Sequence, residues 1–242
     1  MNILVLHKIV EGDPVDWADV SLNFFTEIVE FIKLRNLEFT SITNWKNNIS
    51  GNVVLTFDDG FSSDFELVYP ILKEMRMSAT FFIVPNFVGK DGYMTWENIK
   101  QLSDDGMEIA SHSLTHKYLN TLNEEDIFNE LKNSKIKIEE IIGKDVNSFA
   151  YPYGSYSPKS HQIATEAGYK NICNSKPGLS RINSTVLSRN SIHSNLNSYN
   201  IEKFIFPNKY DLAIQKFGYL VRNGIKQTIG INNYLKLKEL IY

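Results

Sequence analysis

The stretch Val53-Val54-Leu55-Thr56-Phe57-Asp58-Asp59-Gly60 runs five apolar or β-branched residues into two adjacent carboxylates and a glycine. Such a run, closed by an Asp-Gly turn signal, reads as a strand buried on both faces. Two neighbouring carboxylates at the end of a buried strand repel each other unless a cation or hydrogen bonds offset the cost. On an extended strand they point to opposite faces, but a bend guided by Gly60 lets both line one pocket. An Asp-Gly turn that caps the next helix is the plainer use of the same residues.

Outward from this stretch the pattern repeats. Short apolar runs recur at Ile3–Leu6, Ala79–Val84, Glu108–Ala110, Ser148–Tyr151 and Asn171–Cys173. Segments of helical period lie between them, near 19–34, 64–76, 96–105, 123–142 and 157–167. In the first, Val20, Phe24, Ile28 and Phe31/Ile32 form one stripe. In the fourth, Asn123 is an N-cap candidate with Asp126 three residues on. Alternation at this spacing predicts an α/β fold with a parallel sheet and right-handed crossovers, either open or closed into a barrel. Ligands in such folds collect at the C-terminal ends of the strands.

The composition narrows the classes. The chain has 242 residues, 43% hydrophobic and 22% charged, which excludes a disordered or collagen-like polymer. A net charge of −3 argues against a nucleic-acid binder. Cys173 is the single cysteine, so neither an internal disulfide nor a multi-thiolate zinc site can form. Only four apolar residues precede His7, too few for a signal h-region, and no apolar run approaches the roughly 18 residues of a membrane span. A soluble cytoplasmic protein is expected, with the sequons at Asn48 and Asn183 unmodified. No linker or repeat divides residues 1–242, so one domain is expected, with a core to about residue 195 and a helical extension over 196–242. In that extension Tyr210, Ile214, Phe217 and Val221 form a stripe, with Lys216, Arg222 and Lys226 around it. A helix packed over the core is expected, and peripheral contact with a membrane is the alternative.

A second cluster, Ser111-His112-Ser113-Leu114-Thr115-His116, follows the run at 108–110. Histidines at i and i+4 of a helical turn share a face and can hold one metal ion; a solvent-exposed turn is the plain alternative. One carboxylate and two imidazoles leave coordination positions open, as catalytic rather than structural sites do. With the other aspartate available as a base, the layout reads as metal-assisted hydrolysis.

Thr56-Phe57-Asp58-Asp59-Gly60, His112-Ser113-Leu114-Thr115-His116 and Phe149-Ala150-Tyr151-Pro152-Tyr153-Gly154 occur in this order in the polysaccharide deacetylase family, the NodB-homology domains of carbohydrate esterase family 4. Pro70-Ile71-Leu72, Ala79-Thr80-Phe81-Phe82, Met94-Thr95-Trp96 and Gly106-Met107-Glu108-Ile109 also resemble that family, over about residues 1–193. The resemblance implies a distorted (β/α) barrel, often seven-stranded, that removes N- or O-acetyl groups from sugars. It makes Asp59, His112 and His116 metal ligands and Asp58 the general base. It makes the backbone N–H of Tyr153 an oxyanion donor, on a turn stiffened by Pro152. A Pro-Tyr-Gly turn ending a strand is the plain reading of that last segment. Zinc is the default metal for this donor set, with Co²⁺, Ni²⁺, Fe²⁺ or Mn²⁺ as substitutes.

Two positions depart from the family pattern. Ala150 stands where many members carry an arginine that holds the catalytic aspartate, and Arg181 or Arg189 are the candidates to replace it. His193 is the candidate acid for the leaving amine, yet no Asp or Glu lies between Glu166 and Glu202 to tune it, and His7 competes for the role. Trp96, Tyr151 and Tyr153 could stack on sugar faces, although a core role also suits Trp96. The leading expectation is a metal-dependent hydrolase that deacetylates an N-acetylated sugar of a glycan or glycan precursor. A non-catalytic carbohydrate-binding member and a hydrolase of other amide C–N bonds are the alternatives.

Overall fold

All six apolar runs form strands, and the helices between them, α3 excepted, start where the sequence supplies a side-chain acceptor. In this computed structural model residues 1–48, 51–230 and 233 are described. Ile49 and Ser50 of the Asn48 sequon, and the end of the expected C-terminal extension over 234–242, lie outside the described residues. The chain order is β1 (Ile3–Leu6), β2 (Ile9–Val10), β3 (Val20–Ser21), α1 (Leu22–Leu34), β4 (Phe39–Thr40), α2 (Ile42–Lys46) and β5 (Val53–Phe57). A π-helical turn over Asp64–Val68 then runs into α3 (Tyr69–Glu74), followed by β6 (Thr80–Ile83), α4 (Trp96–Asp104), β7 (Glu108–Ser111) and α5 (Glu124–Ile142). The last elements are β8 (Ser148–Ala150), α6 (Pro158–Glu166), β9 (Asn171–Cys173), β10 (Val186–Leu187), β11 (Asn190–Ser191), α7 (Ile201–Ile205) and α8 (Lys209–Ile229). Ser21, Ser41, Thr95, Asn123, Ser157 and Asn208 each accept a backbone N–H from the first turn of the helix that follows. The stripe of α1 is centred on Phe25, Ile28, Val29 and Ile32, one residue beyond the expected register, because Val20 belongs to β3 and the helix begins at Leu22.

The main sheet is parallel throughout, in the order β10-β9-β8-β7-β6-β5-β1-β11, with β4 added beside the first half of β5. β10 and β11 sit at opposite edges, yet only Ser188 and Arg189 separate them. Three Cα steps span at most about 11 Å. The two edges therefore nearly meet, and the sheet is curled into a barrel whose last strand is shared between them. Counted that way there are eight strands rather than the seven expected. The extra one is the two-residue β4, too short to show a periodicity.

Side-chain alternation divides the apolar residues into two sets. Leu4, Leu6, Leu55, Phe57, Phe81, Ile109 and Phe149 face the helices and form the larger core. Ile3, Val54, Phe82, Ala110, Ala150, Cys173 and Leu187 fill the barrel interior, joined by Ile42 and Trp45 from α2. The C-terminal helix departs from expectation. Tyr210 is 83% exposed, Ile214 72% and Phe217 70%, so this stripe faces away from the protein instead of packing over the barrel.

Candidate active site

The interior-facing positions of β5 lead from Val54 through Thr56 to Asp58, so Asp58 enters the barrel by continuing the strand. Its N–H still bonds Leu6 O at 3.0 Å, and the side chain is buried. Asp59 would point to the opposite face if the strand continued. Instead it takes a left-handed φ of 76°, Gly60 repeats it, and the carboxylate turns back beside its neighbour. A Cβ on Gly60 would stand 3.2 Å from Ile83 Cδ1, so a side chain there would crowd Ile83 as well as strain the backbone.

His112 leaves β7 on the interior side, its N–H bonded to Ile83 O at 2.8 Å. Its Nδ1 lies 2.9 Å from Ala150 O. A carbonyl can only accept, so Nδ1 carries the proton and Nε2 presents its lone pair toward the acids. Burial, more than its charged neighbours, lowers the His112 pKa to about 4, which keeps the ring neutral at pH 7. His116 does not reach the site through a helical turn, as its spacing suggested. Residues 112–118 form a loop in which Ser113 and His116 take left-handed φ values of 63° and 59°. Such backbone costs about 1–3 kcal/mol per residue and persists only where the surroundings enforce it. Here Glu130 of α5 enforces it. Its carboxylate accepts the N–H of Leu114 at 3.1 Å, the N–H of Thr115 at 2.9 Å and the Thr115 hydroxyl at 2.5 Å. Glu130 falls within the buried stripe of Ile127, Leu131, Ser134 and Ile138, and a charge at such a position was the available signal.

Asp59, His112 and His116 thereby bring one ligand atom each to within 4.8 Å of one another. Asp59 Oδ1 is 3.2 Å from His116 Nε2 and 3.6 Å from His112 Nε2. Oδ1 is buried and makes no hydrogen bond. A buried carboxylate oxygen without a hydrogen bond, facing an imidazole lone pair, fits a divalent cation. Burial alone would raise the Asp59 carboxyl, but His116 and His112 outweigh it and hold the group well below the usual range.

Asp58 is held separately. Arg189, fully buried at the junction of β10 and β11, grips it in a two-pronged ion pair, Nη1–Oδ1 2.6 Å and Nη2–Oδ2 2.8 Å. Arg189 Nε also donates to Asn174 O at 3.2 Å, and the guanidinium carbon lies 5.1 Å from the centroid of the Phe82 ring. Burial pushes the Asp58 carboxyl up, yet Arg189 and then His112 bring it below its ordinary value. Asp58 Oδ2 is 3.8 Å from His112 Nε2, beside the ligand set. Of the two arginines expected to replace the missing one at Ala150, Arg189 does so; Arg181 is exposed. Ala150 faces the same interior and is small enough to leave Arg189 room. Asp64, from the π-helical turn, is fully buried with both carboxyl oxygens unpartnered. Burial and then the charges of Asp59 and Asp58 push it well above the usual carboxyl range.

Pro152, Tyr153 and Gly154 make a tight turn at the rim, with Tyr153 at a left-handed φ of 57°. The Tyr153 ring is 42% exposed and its centroid lies 4.6 Å from that of His116. Three other sequence candidates stand elsewhere. Trp96 packs against the core with Lys137 Nζ 5.8 Å over its ring. Tyr151 is buried edge-on to Phe149. His193 stacks on Trp17 at 4.5 Å and meets Phe204 edge-on at 6.2 Å, with Nδ1 buried and unpartnered. Burial and then Arg222 lower the His193 pKa to about 4, so the ring is neutral at pH 7 and lacks the imidazolium proton of a general acid. His7 follows β1 directly and so stands at the same C-terminal end of the barrel as Asp58 and Asp59. Cys173, inside the barrel, is pushed up to about 12 by burial and offers no thiolate.

This geometry can be set beside known proteins. A peptidoglycan-N-acetylmuramic acid deacetylase of Bacillus subtilis is 30% identical over 128 residues, 52% of this chain and 47% of its own. A peptidoglycan-N-acetylglucosamine deacetylase of Bacillus cereus is 28% identical over 140 residues, 57% of this chain and 63% of its own. The chain thus spans between about half and 63% of the length of these relatives. Among solved structures, the Streptococcus pyogenes deacetylase PplD superposes with a TM-score of 0.77 at 24% identity, over 86% of this chain and 98% of that one. The de-N-acetylase of Aggregatibacter actinomycetemcomitans gives 0.73 at 20% identity, over 84% and 98%. Both establish the barrel. The polysaccharide deacetylase family profile matches residues 46–172, a span that carries both aspartates, both loop histidines and the Pro-Tyr-Gly turn, and this chain belongs to that family.

Proposed function

We propose that this protein is a metal-dependent hydrolase that removes the acetyl group from an N-acetylated sugar of a glycan precursor within the cell. The observation that carries the reading is the separation of two carboxylates adjacent in sequence. Asp59 joins two imidazoles around a place fit for a cation, while Asp58 is withheld from that set by a buried guanidinium. A divalent cation bound there supplies Lewis acidity and activates water, and zinc suits a carboxylate and two imidazoles without thiolate. The remaining work falls to the chain. Asp58, kept ionised by Arg189 and 3.8 Å from His112 Nε2, takes the proton of the attacking water at its carboxylate. The Tyr153 N–H, on the turn fixed by Pro152, donates to the oxyanion, and the exposed Tyr153 ring offers a face to the sugar. His7 protonates the leaving amine in place of His193. The buried pair with Arg189 also supplies what the missing motif arginine would provide, which removes the main ground for reading the chain as a binding protein alone.

Acetate release from short N-acetylglucosamine oligomers, with non-sugar amides as the comparison set, tests this. Release should stop on chelation and return with zinc, and Asp58→Asn should lower turnover about 10²–10⁴-fold. His7→Ala should lower it about 100-fold while His193→Phe leaves it within a few-fold. Full turnover in Asp58→Asn would remove that residue as base, and the opposite order of the two histidine variants would return the acid role to His193.

A further inference from the structure

Helix α8 turns its larger apolar side chains outward. At about 100° per residue, Tyr210, Ile214, Phe217, Leu220, Val221 and Ile225 fall within an arc of about 140°. All six are exposed, from 40% for Ile225 to 83% for Tyr210. The half-buried side is made of Asp211, Leu212, Gln215, Gly218 and Tyr219, a mixed and smaller surface. A single exposed leucine needs no explanation, but a continuous row of six over four turns does.

Charge identifies what covers this row. Residues 209–229 carry Lys209, Lys216, Arg222 and Lys226 against Asp211 alone, +3 in a chain of net −3, which leaves −6 on the remainder. Lys209 and Lys216 lie on one edge of the apolar arc, where cationic heads reach out past a buried apolar face, whereas Arg222 lies beyond Asp211 on the other side, toward Trp17. A second copy on this face would set +3 against +3. An anionic surface is attracted by α8 and repelled by the acidic body, so it selects both the face and its orientation. Arg222 also lies 5.8 Å from the centroid of the Trp17 ring, and Trp17 stacks on His193, so α8 is tied to the loops that follow β1 and β11. Those loops lie on the rim where the acids and imidazoles open.

We propose that α8 docks the protein on an anionic lipid surface, with the apolar row among the acyl chains and the lysines at the phosphates. Docking stands independently of the hydrolase reading. Combined with that reading, it holds the rim beside a lipid-anchored saccharide. The test is co-sedimentation of the full chain with phosphatidylglycerol vesicles and with phosphatidylcholine vesicles. Binding is expected to the first, weaker binding to the second, and release as salt rises. The double variant Ile214→Glu/Phe217→Glu should lose about tenfold or more in vesicle affinity. It should keep the wild-type thermal midpoint and the wild-type acetate release from a soluble oligomer. No sedimentation of the wild type with phosphatidylglycerol, or equal sedimentation of the variant, overturns the proposal. So does a dimer in light scattering that the same variant dissolves while vesicles have no effect, which would assign the face to a second copy. Vesicle binding without acetate release from any substrate would sink the hydrolase reading and leave the docking surface in place.

Discussion

Along β7 and one residue past its end the interior positions read Glu108, Ala110, His112, and this one column joins two ends of the barrel that treat their polar groups differently. At the N-terminal end Glu108 is saturated. Its oxygens accept the Thr43 N–H at 2.9 Å and the hydroxyls of Thr43 at 2.7 Å, Thr80 at 2.8 Å and Ser148 at 2.5 Å. Every donor is neutral, three of them short hydroxyls. At the C-terminal end Asp59 Oδ1 and both oxygens of Asp64 have no hydrogen bond, and Asp58 depends on one buried cation. Asp59, Ser113, His116 and Tyr153, all at this end, carry left-handed backbone. The difference shows what each end is for. A carboxylate with four short neutral donors cross-links strands and has no lone pair in need of a ligand. A group of strained, incompletely bonded acids and imidazoles is stable only because the rest of the barrel holds it, and its open valences are its chemistry.

Substitutions at the two ends should separate stability from activity. Arg189→Leu should have the largest effect, because it strands Asp58 as an uncompensated buried charge. We expect about 3–5 kcal/mol lost in urea unfolding, together with most of the acetate release. Unchanged stability would mean that Asp58 is not ionised in its pocket. Glu108→Gln should cost about 1–3 kcal/mol, since the amide cannot accept all four donors, while turnover per folded molecule stays near wild type. Loss of turnover without loss of stability would break the distinction drawn here.

The pH dependence should belong to the C-terminal end. His112 and His193 have folded pKa values depressed to about 4 from the ordinary imidazole value. Each histidine therefore binds a proton in the unfolded chain but not in the folded one between about pH 6.5 and 4, and its contribution to stability falls as pH drops through that window, while Asp64, whose raised carboxyl keeps its proton only in the folded chain, opposes it. In metal-free protein the slope should reach at most about 1.4 kcal/mol per pH unit for each histidine. His193→Phe, which keeps the stacking on Trp17, should remove its share and leave the rest. An identical pH slope in His193→Phe and the wild type would contradict a neutral buried His193.

Residues whose meaning is local were legible before any coordinates. The run Val53–Phe57 and its five counterparts had to be buried strands, and Asn123 had to start a helix, because strand burial and helix capping are decided within a few residues of chain. Asp58, Asp59, His112 and His116 were recognisable as a group because each follows a strand that the parallel topology aligns. Their route into the site was not. The left-handed turns at Asp59 and His116 are imposed by Glu130 and by the packing around Gly60, not by their own sequence.

What only the tertiary structure decided involves partners distant in the chain. Arg189 reaches Asp58 across 131 residues because β10 and β11 close the barrel at that point, and no local pattern marks an arginine for that place. His193, well placed by motif order, went to Trp17 and Phe204 because the loop after β11 folds back over α1 and α7, where burial disfavours its charged form. The stripe on α8 was visible as a pattern, but a hydrophobic pattern fixes which side chains share a face and not which way the face turns. That choice belongs to whatever surface is left uncovered once the rest of the chain has packed.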